Sequence, residues 1–396
     1  MKIARIETIR SPDFPNLLWV HLHTHDGLVG LGETFYIPAA VEAVIHDFAA
    51  PMLLGQSAFD RERHWQALFS CANFFGHAGA EMRAISALDF ALWDLLGKHT
   101  GLPVHQLIGG QTRDSIRVYN TCVDTPLYPD QTGFLERPGE LAQSLLAQGI
   151  SAMKVWPWDR FAPQVQSLGV TGPAGWAAAG PVGHDLLPEQ LAQGLSTVQE
   201  IRRAVGDRMQ IAVEGHSRWD LHSALRIARA LEPYDVLWME DFLQPDSAAD
   251  LARLARESRV AQSVSERLFT RHAFRRILDA DCAHVVMPDL VWTGGLSEAL
   301  KIAAMADTHH LSVAPHDCTG PVNLFACLQL CAAIPNAMIM ETVRGFCEGY
   351  YRDVATPDVP LREGRALLER LGPGLGVSLR EQFLSRSNLE RRLSVA

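Results

Sequence analysis

Eight short apolar runs follow one another between Ile116 and Thr342, with stretches of helical periodicity between them. They read IRVYNTC, ISAMKVW, QIAVEGH, VLWMED, VAQSVSE, AHVVMPD, LSVAPHD and AMIMET. Runs of this kind suit strands covered on both faces, as in a parallel sheet. The segments between them space apolar residues by three and four, as Leu221, Ala224, Leu225, Ala228 and Leu231 do, which is the period of an amphipathic helix. Eight alternating β and α units predict an α/β fold, a (β/α)8 barrel of the TIM type. A chain of 396 residues with 47% hydrophobic content can bury such a barrel and a second unit beside it.

The residues ahead of the barrel read differently. IARIETIR, LLWVHLHT and GLVGLGET, with the turn His25-Asp26-Gly27 before the last, predict a small β-meander. Residues 81–97 place Ile85, Leu88, Leu92 and Leu95 on one helical face, with Gly97 expected to end the helix. Together they make an α+β start of about 110 residues. One later connection is anomalous: Pro157–Pro188 is too rich in Gly and Pro for an ordinary βα turn, so a lid or specificity loop is expected there.

Charge and hydropathy narrow the function. The net charge is -10 and no long Lys/Arg run occurs, so nothing builds the positive surface that nucleic acid or anionic lipid requires. No stretch of about 18 apolar residues is present, and MKIARIETIRSPDF lacks the apolar core of a signal peptide. A cytoplasmic protein without membrane or nucleic-acid partners is expected. Seven cysteines are scattered singly apart from Cys327 and Cys331, and should be reduced and packed.

In such barrels the chemistry sits at the C-terminal ends of the strands, and here each end from strand two onward carries a polar group. Strand two offers Lys154, strand three Glu214 and His216, strand four Glu240, strand five Glu266, strand six Asp289, strand seven His316 and strand eight Glu341. Glu214, Glu240 and Glu266 recur at the spacing of one βα unit, so three neighbouring strands would aim carboxylates at one point. Converging carboxylates repel unless a cation sits among them, and hard oxygen ligands of this kind suit Mg²⁺. The bland alternative for each is a solvated strand-end residue. Zinc is a weaker reading, because no Cys cluster or His-Glu-x-x-His spacing occurs. Glu214 and His216 stand two apart, so if both lie on the strand they share a face. Asp289 and His316 end adjacent strands, where a carboxylate would fix the imidazole tautomer and raise its basicity.

These residues resemble the enolase superfamily, in its mandelate racemase-like branch, and within it the acid-sugar dehydratases. The resemblance covers nearly the whole chain. It rests on Gly32-Glu33-Thr34, Ala87-Leu88-Asp89, Trp93-Asp94, Trp238-Met239-Glu240-Asp241, Ser265-Glu266-Arg267, Pro288-Asp289 with Gly294-Gly295, Ala314-Pro315-His316 and Pro373-Gly374-Leu375-Gly376. It implies a modified, (β/α)7β-like barrel over residues 116–359. It also implies a capping α+β domain of residues 1–115, joined by a C-terminal segment from about 360 to 396, with mobile specificity loops at Pro12–Leu18 and Asn73–Gly79.

The resemblance further implies Mg²⁺ on Glu214, Glu240 and Glu266, a catalytic dyad of Asp289 and His316, and Glu341 as the acid that helps stabilise the enolate. His216 matches the dehydratase histidine that assists departure of the 3-hydroxyl of an aldonic acid. A homo-oligomer is expected on the same ground. Two positions depart from the family pattern. Its first metal ligand is usually Asp, where this chain has Glu214, and its racemases often carry Lys-x-Lys, where this chain has Lys154-Val155-Trp156. Lys154 is left to contact the substrate carboxylate or to serve as a second acid or base, and Trp156 to shape the pocket. A racemase, epimerase or cycloisomerase using Lys154 and His316, or a non-catalytic sugar-acid-binding protein, stand as alternatives.

Overall fold

The structure of the protein, a computed structural model, describes residues 1–163 and 182–396. Strands β1 (Ile3–Arg10), β2 (Leu17–Thr24) and β3 (Val29–Phe35) form the expected meander. Eight parallel strands follow: β4 (Ser115–Thr121), β5 (Ala152–Val155), β6 (Gln210–Glu214), β7 (Trp238–Glu240), β8 (Gln262–Val264), β9 (Val285–Val286), β10 (Ser312–Val313) and β11 (Met340–Thr342). Each pairs with its neighbour from β4 to β10, and β11 pairs back onto β4. A parallel bridge from Val313 to Ala337, just ahead of β11, completes the ring. The fold is thus a TIM-type barrel. Helices occupy all seven connections between these strands, whereas only four- and five-residue helices, Arg344–Cys347 and Tyr350–Val354, follow β11 directly.

The chain ends with short strands β12 (Ala355–Thr356), β13 (Leu361–Arg362), β14 (Arg365–Leu367) and β15 (Ser378–Leu379), then β16 (Glu390–Val395). That last strand runs antiparallel to β1, giving the order β16-β1-β2-β3, so the C-terminus closes the N-terminal sheet.

The helix Ala80–Thr100 fastens this sheet to the barrel. Gly30 and Gly32 of β3 face it without side chains, and a Cβ on Gly32 would fall 1.9 Å from the carbonyl oxygen of Ala87. Only glycine permits so close a contact. On the helix's other side, Asp89 accepts from the Ser297 amide (2.9 Å) and hydroxyl (2.5 Å), and Trp93 donates to the same hydroxyl (2.9 Å). Asp94 accepts from the amides of Leu31 (2.8 Å) and Leu375 (2.9 Å), tying β3 to the C-terminal segment. Gly97 does not end the helix as expected. The helix continues to Thr100 and stops at Gly101 in the left-handed region (φ 72°). Gly97 instead makes room for Gly374, whose Cα would lie 2.4 Å from an added Cβ.

The segments Pro12–Leu18 and Asn73–Gly79 run largely between elements, as expected of loops. Of the expected lid, residues 164–181 lie outside the described residues. All seven cysteines are free thiols, and six of them are buried.

Candidate active site

The barrel register brings the predicted polar residues to one end. Glu214 pairs with Glu240 across β6 and β7, and Glu266 follows β8 by two residues. Their carboxylate oxygens lie within 4.8 Å of one another, and all three residues are buried. Among the described residues Glu266 has a buried oxygen, Oε2, with no hydrogen-bond donor. Three convergent anionic oxygens with spare acceptor capacity are a donor set that fits a hard divalent cation such as Mg²⁺. Glu240 is further held by Trp238, whose indole donates to Oε2 (2.8 Å).

Lys154 on β5 reaches into the same cluster. Its Nζ lies 2.5 Å from Glu240 Oε1, 2.9 Å from Glu341 Oε1 and 3.1 Å from Glu214 Oε2. Burial alone would lower the pKa of this ammonium, but Glu214, Glu240 and Glu341 outweigh it and raise the pKa well above its ordinary value. Burial would raise Glu341, yet Lys154, His316 and the Thr121 hydroxyl hold it down at about 2.

His316 and Asp289 meet as expected. Asp289 Oδ2 lies 2.7 Å from His316 Nδ1, and Oδ1 accepts from the Val291 amide (2.8 Å). A carboxylate fixed in this way sets the imidazole's orientation and leaves Nε2 facing the site. Burial would lower the His316 pKa, but Glu341, Asp289 and Glu266 overcome it and raise the pKa to about 10. His316 Nε2 points toward Glu341 Oε2 at 3.8 Å.

His216 reaches the cluster by a different route from the one expected. Strand β6 ends at Glu214, and His216 (φ 46°) and Ser217 (φ 57°) stand in the left-handed region, so the shared strand face does not apply. The turn nevertheless carries the ring back, with Nε2 3.1 Å from Glu214 Oε1. Its other nitrogen, Nδ1, lies 2.6 Å from Asp159 Oδ2. Asp159 was not singled out in the sequence. It lies on the 3-10 turn Asp159–Phe161 beyond β5, 57 residues before His216, and no spacing rule connects the two. Trp156 packs edge-on against the His216 ring (5.5 Å between centroids). Two Asp–His pairs therefore flank the carboxylates. One follows β6 and the other β10, four strands apart in a ring of eight.

The chain is similar to known proteins over its whole length. Residues 138–383 match the family described as enolase C-terminal domain-like, and residues 9–109 match the mandelate racemase/muconate lactonizing enzyme N-terminal domain. D-galactonate dehydratase of Ralstonia nicotianae is 32% identical over 97% of this chain and 94% of its own length. The D-galactonate dehydratase of Ralstonia pickettii is 30% identical over 98% and 95%. An enolase of the mandelate racemase subgroup from Agrobacterium tumefaciens superimposes with a TM-score of 0.88 at 41% identity, covering 100% of this chain and 99% of that one. An enolase from Sargasso Sea environmental sequencing gives 0.88 at 38% identity, covering 100% and 99%. By these matches, and by a barrel that gathers three carboxylates and an Asp–His dyad at its strand ends, the chain belongs to the enolase superfamily, in its mandelate racemase/muconate lactonizing enzyme branch.

Proposed function

We propose that the protein is a Mg²⁺-dependent sugar-acid dehydratase, with residues 116–359 as the catalytic barrel and residues 1–115 and about 360–396 as its cap. The observation that carries this reading is the pair of Asp-oriented histidines on opposite sides of one carboxylate cluster. The full-length similarity to D-galactonate dehydratases supports it. Mg²⁺ on Glu214, Glu240 and Glu266 would supply the charge that makes a proton next to a carboxylate acidic enough to remove.

The chain's own groups supply the rest. His316 Nε2, with Asp289 holding Nδ1, takes the C2 proton, and the C–H electron pair moves into the enolate. Lys154 and Glu341 lie beside the developing charge, Lys154 as a fixed cation and Glu341 as the acid next to His316. His216, held by Asp159, gives a proton to the C3 hydroxyl. The C3–O bond then breaks, water leaves, and the enol tautomerises to a 2-keto-3-deoxy acid. The Lys154 ammonium is engaged by Glu214, Glu240 and Glu341 within 3.1 Å, which favours a role as a fixed cation over the racemase alternative that pairs it with His316.

The test is a 2-keto-acid assay over a library of aldonic and other sugar acids with Mg²⁺. Formation of a 2-keto-3-deoxy acid is the expected result. Change of configuration at C2 without keto acid would establish the racemase reading, and saturable binding without either product would establish a binding protein.

A further inference from the structure

We propose that Tyr36 and Arg83 form the far end of the substrate site and select a sugar acid carrying a second anion, a carboxylate or a phosphate, at the end remote from C1. The inference rests on the dehydratase reading and refines its substrate class.

The backbone beyond β3 gives the first reason. Tyr36 (φ 71°) and Ile37 (φ 45°) both stand in the left-handed region, which disfavours side-chain-bearing residues and β-branched ones most. Strain of this kind persists only where the surroundings impose it, and it concentrates at functional sites. Here it delivers an aromatic ring to the barrel mouth. Tyr36 stacks on Trp292 (5.7 Å between centroids, 25° between planes), and Trp292 leans over His316 (5.4 Å, 34°). The Tyr36 hydroxyl lies in the field of Glu266 and Arg267 as well as Arg83.

Arg83 gives the second reason. Its Nε donates to the Phe35 carbonyl (3.1 Å), and its guanidinium lies 5.3 Å from the Trp292 ring and 5.6 Å from that of Phe269. Among the described residues no carboxylate comes within ion-pair distance of it. Asp289 acts on Arg83 only from farther off and is already engaged by His316 and the Val291 amide. A half-buried guanidinium placed on aromatic rings keeps a fork of N–H donors that matches the oxygens of a carboxylate or phosphate. Trp292 touches both Arg83 and His316, so two successive contacts of 5.3 and 5.4 Å join the cation to the proposed base. A five- or six-carbon chain with its hydrogen-bonding ends bridges such a span, placing C2 at His316 and the terminal anion at Arg83.

The experiment compares an aldonic acid, the aldaric acid of the same configuration and the corresponding ω-phosphorylated aldonic acid with the Mg²⁺-loaded enzyme. One of the two doubly anionic acids should exceed the aldonic acid at least tenfold in kcat/KM, and which one does identifies the terminal group. R83Q should cut that preference at least tenfold, chiefly through KM, with R83K intermediate because it keeps the charge without the fork. If R83Q does not fold, inhibition of the parent by glutarate and by pentanoate reads the same site, the diacid being expected to inhibit at least tenfold more strongly. Dehydration of the aldonic acid with no preference for a second anion overturns this inference alone, as does a preference that a folded, metal-loaded R83Q retains. Absence of dehydration and of C2-hydrogen exchange with every acid overturns the dehydratase reading and this inference with it.

Discussion

Replacing Lys154 by methionine keeps an unbranched side chain only one atom shorter and removes the ammonium that Glu214, Glu240 and Glu341 share. In metal-free protein the carboxylates then face one another in a site where all are buried. The cheapest relief is for one of them to take a proton. For Glu341, held at about 2 while Lys154 is present, protonation costs about 1.4 kcal/mol for each unit between its ordinary 4.5 and the ambient pH, or about 3 kcal/mol at pH 7. Breaking a buried ion pair by removing one partner costs roughly 3–5 kcal/mol, so two independent routes give the same scale. In a chain of this size that corresponds to a fall in Tm of roughly 4–6 °C.

The sign of the pH dependence follows from the same groups. In the parent, the depressed Glu341 value contributes stability that is complete above 4.5 and is lost as pH falls toward 2. In the variant the folded state holds a proton that the unfolded chain releases above 4.5, so its stability falls as pH rises. The gap between parent and variant should therefore be present at pH 5 and widen toward pH 8. Mg²⁺ restores a positive charge to the cluster, so it should raise the Tm of K154M more than that of the parent. Thermal unfolding of both proteins in EDTA and in Mg²⁺, at pH 5 and pH 8 and one scan rate, measures all three effects. Equal Tm values in EDTA at pH 8, or a gap that does not change with pH, would refute the reasoning.

Three further predictions address the chemistry. E240Q, which removes one anionic ligand at nearly constant volume, should weaken Mg²⁺ binding measured by titration calorimetry, and EDTA should abolish a parent activity that Mg²⁺ restores. H316N should lose both C2-hydrogen exchange with D₂O and dehydration, whereas H216N, checked for metal content, should keep exchange and lose dehydration by about a hundredfold or more. If H316N still exchanges at the parent rate, another group is the base and Lys154 is the first to test. D159N should reproduce the H216N pattern in milder form, since the ring keeps a hydrogen-bond partner but loses the anion that orients it as an acid; equal loss of exchange and dehydration would mean that Asp159 supports the site generally.

What could be read from the sequence follows from which contacts are local. A barrel strand is a short apolar run whose far end must meet the mouth, so Lys154, Glu214, Glu240, Glu266, Asp289, His316 and Glu341 could be located by counting along single strands. Their convergence then required only that successive strands pair in parallel, and the register that sets Glu214 opposite Glu240 does this. Asp159 had no such rule, because its contact with His216 joins two loops whose relative position exists only once the ring has closed. His216 shows the same limit from the other side. The period-two argument named the right neighbour on a wrong premise, since the backbone leaves the strand at Gly215 and a left-handed turn, not the pleat, returns the imidazole to Glu214. Gly97 was misread as a helix stop because its close partner, Gly374, lies far along the chain, and only tertiary packing separates a glycine that ends a helix from one that lets another backbone pass. Single-strand features of this fold were therefore legible, while the features that tune it, such as the carboxylate behind His216 or the strained turn carrying Tyr36, arise where two connections meet and have no local signature.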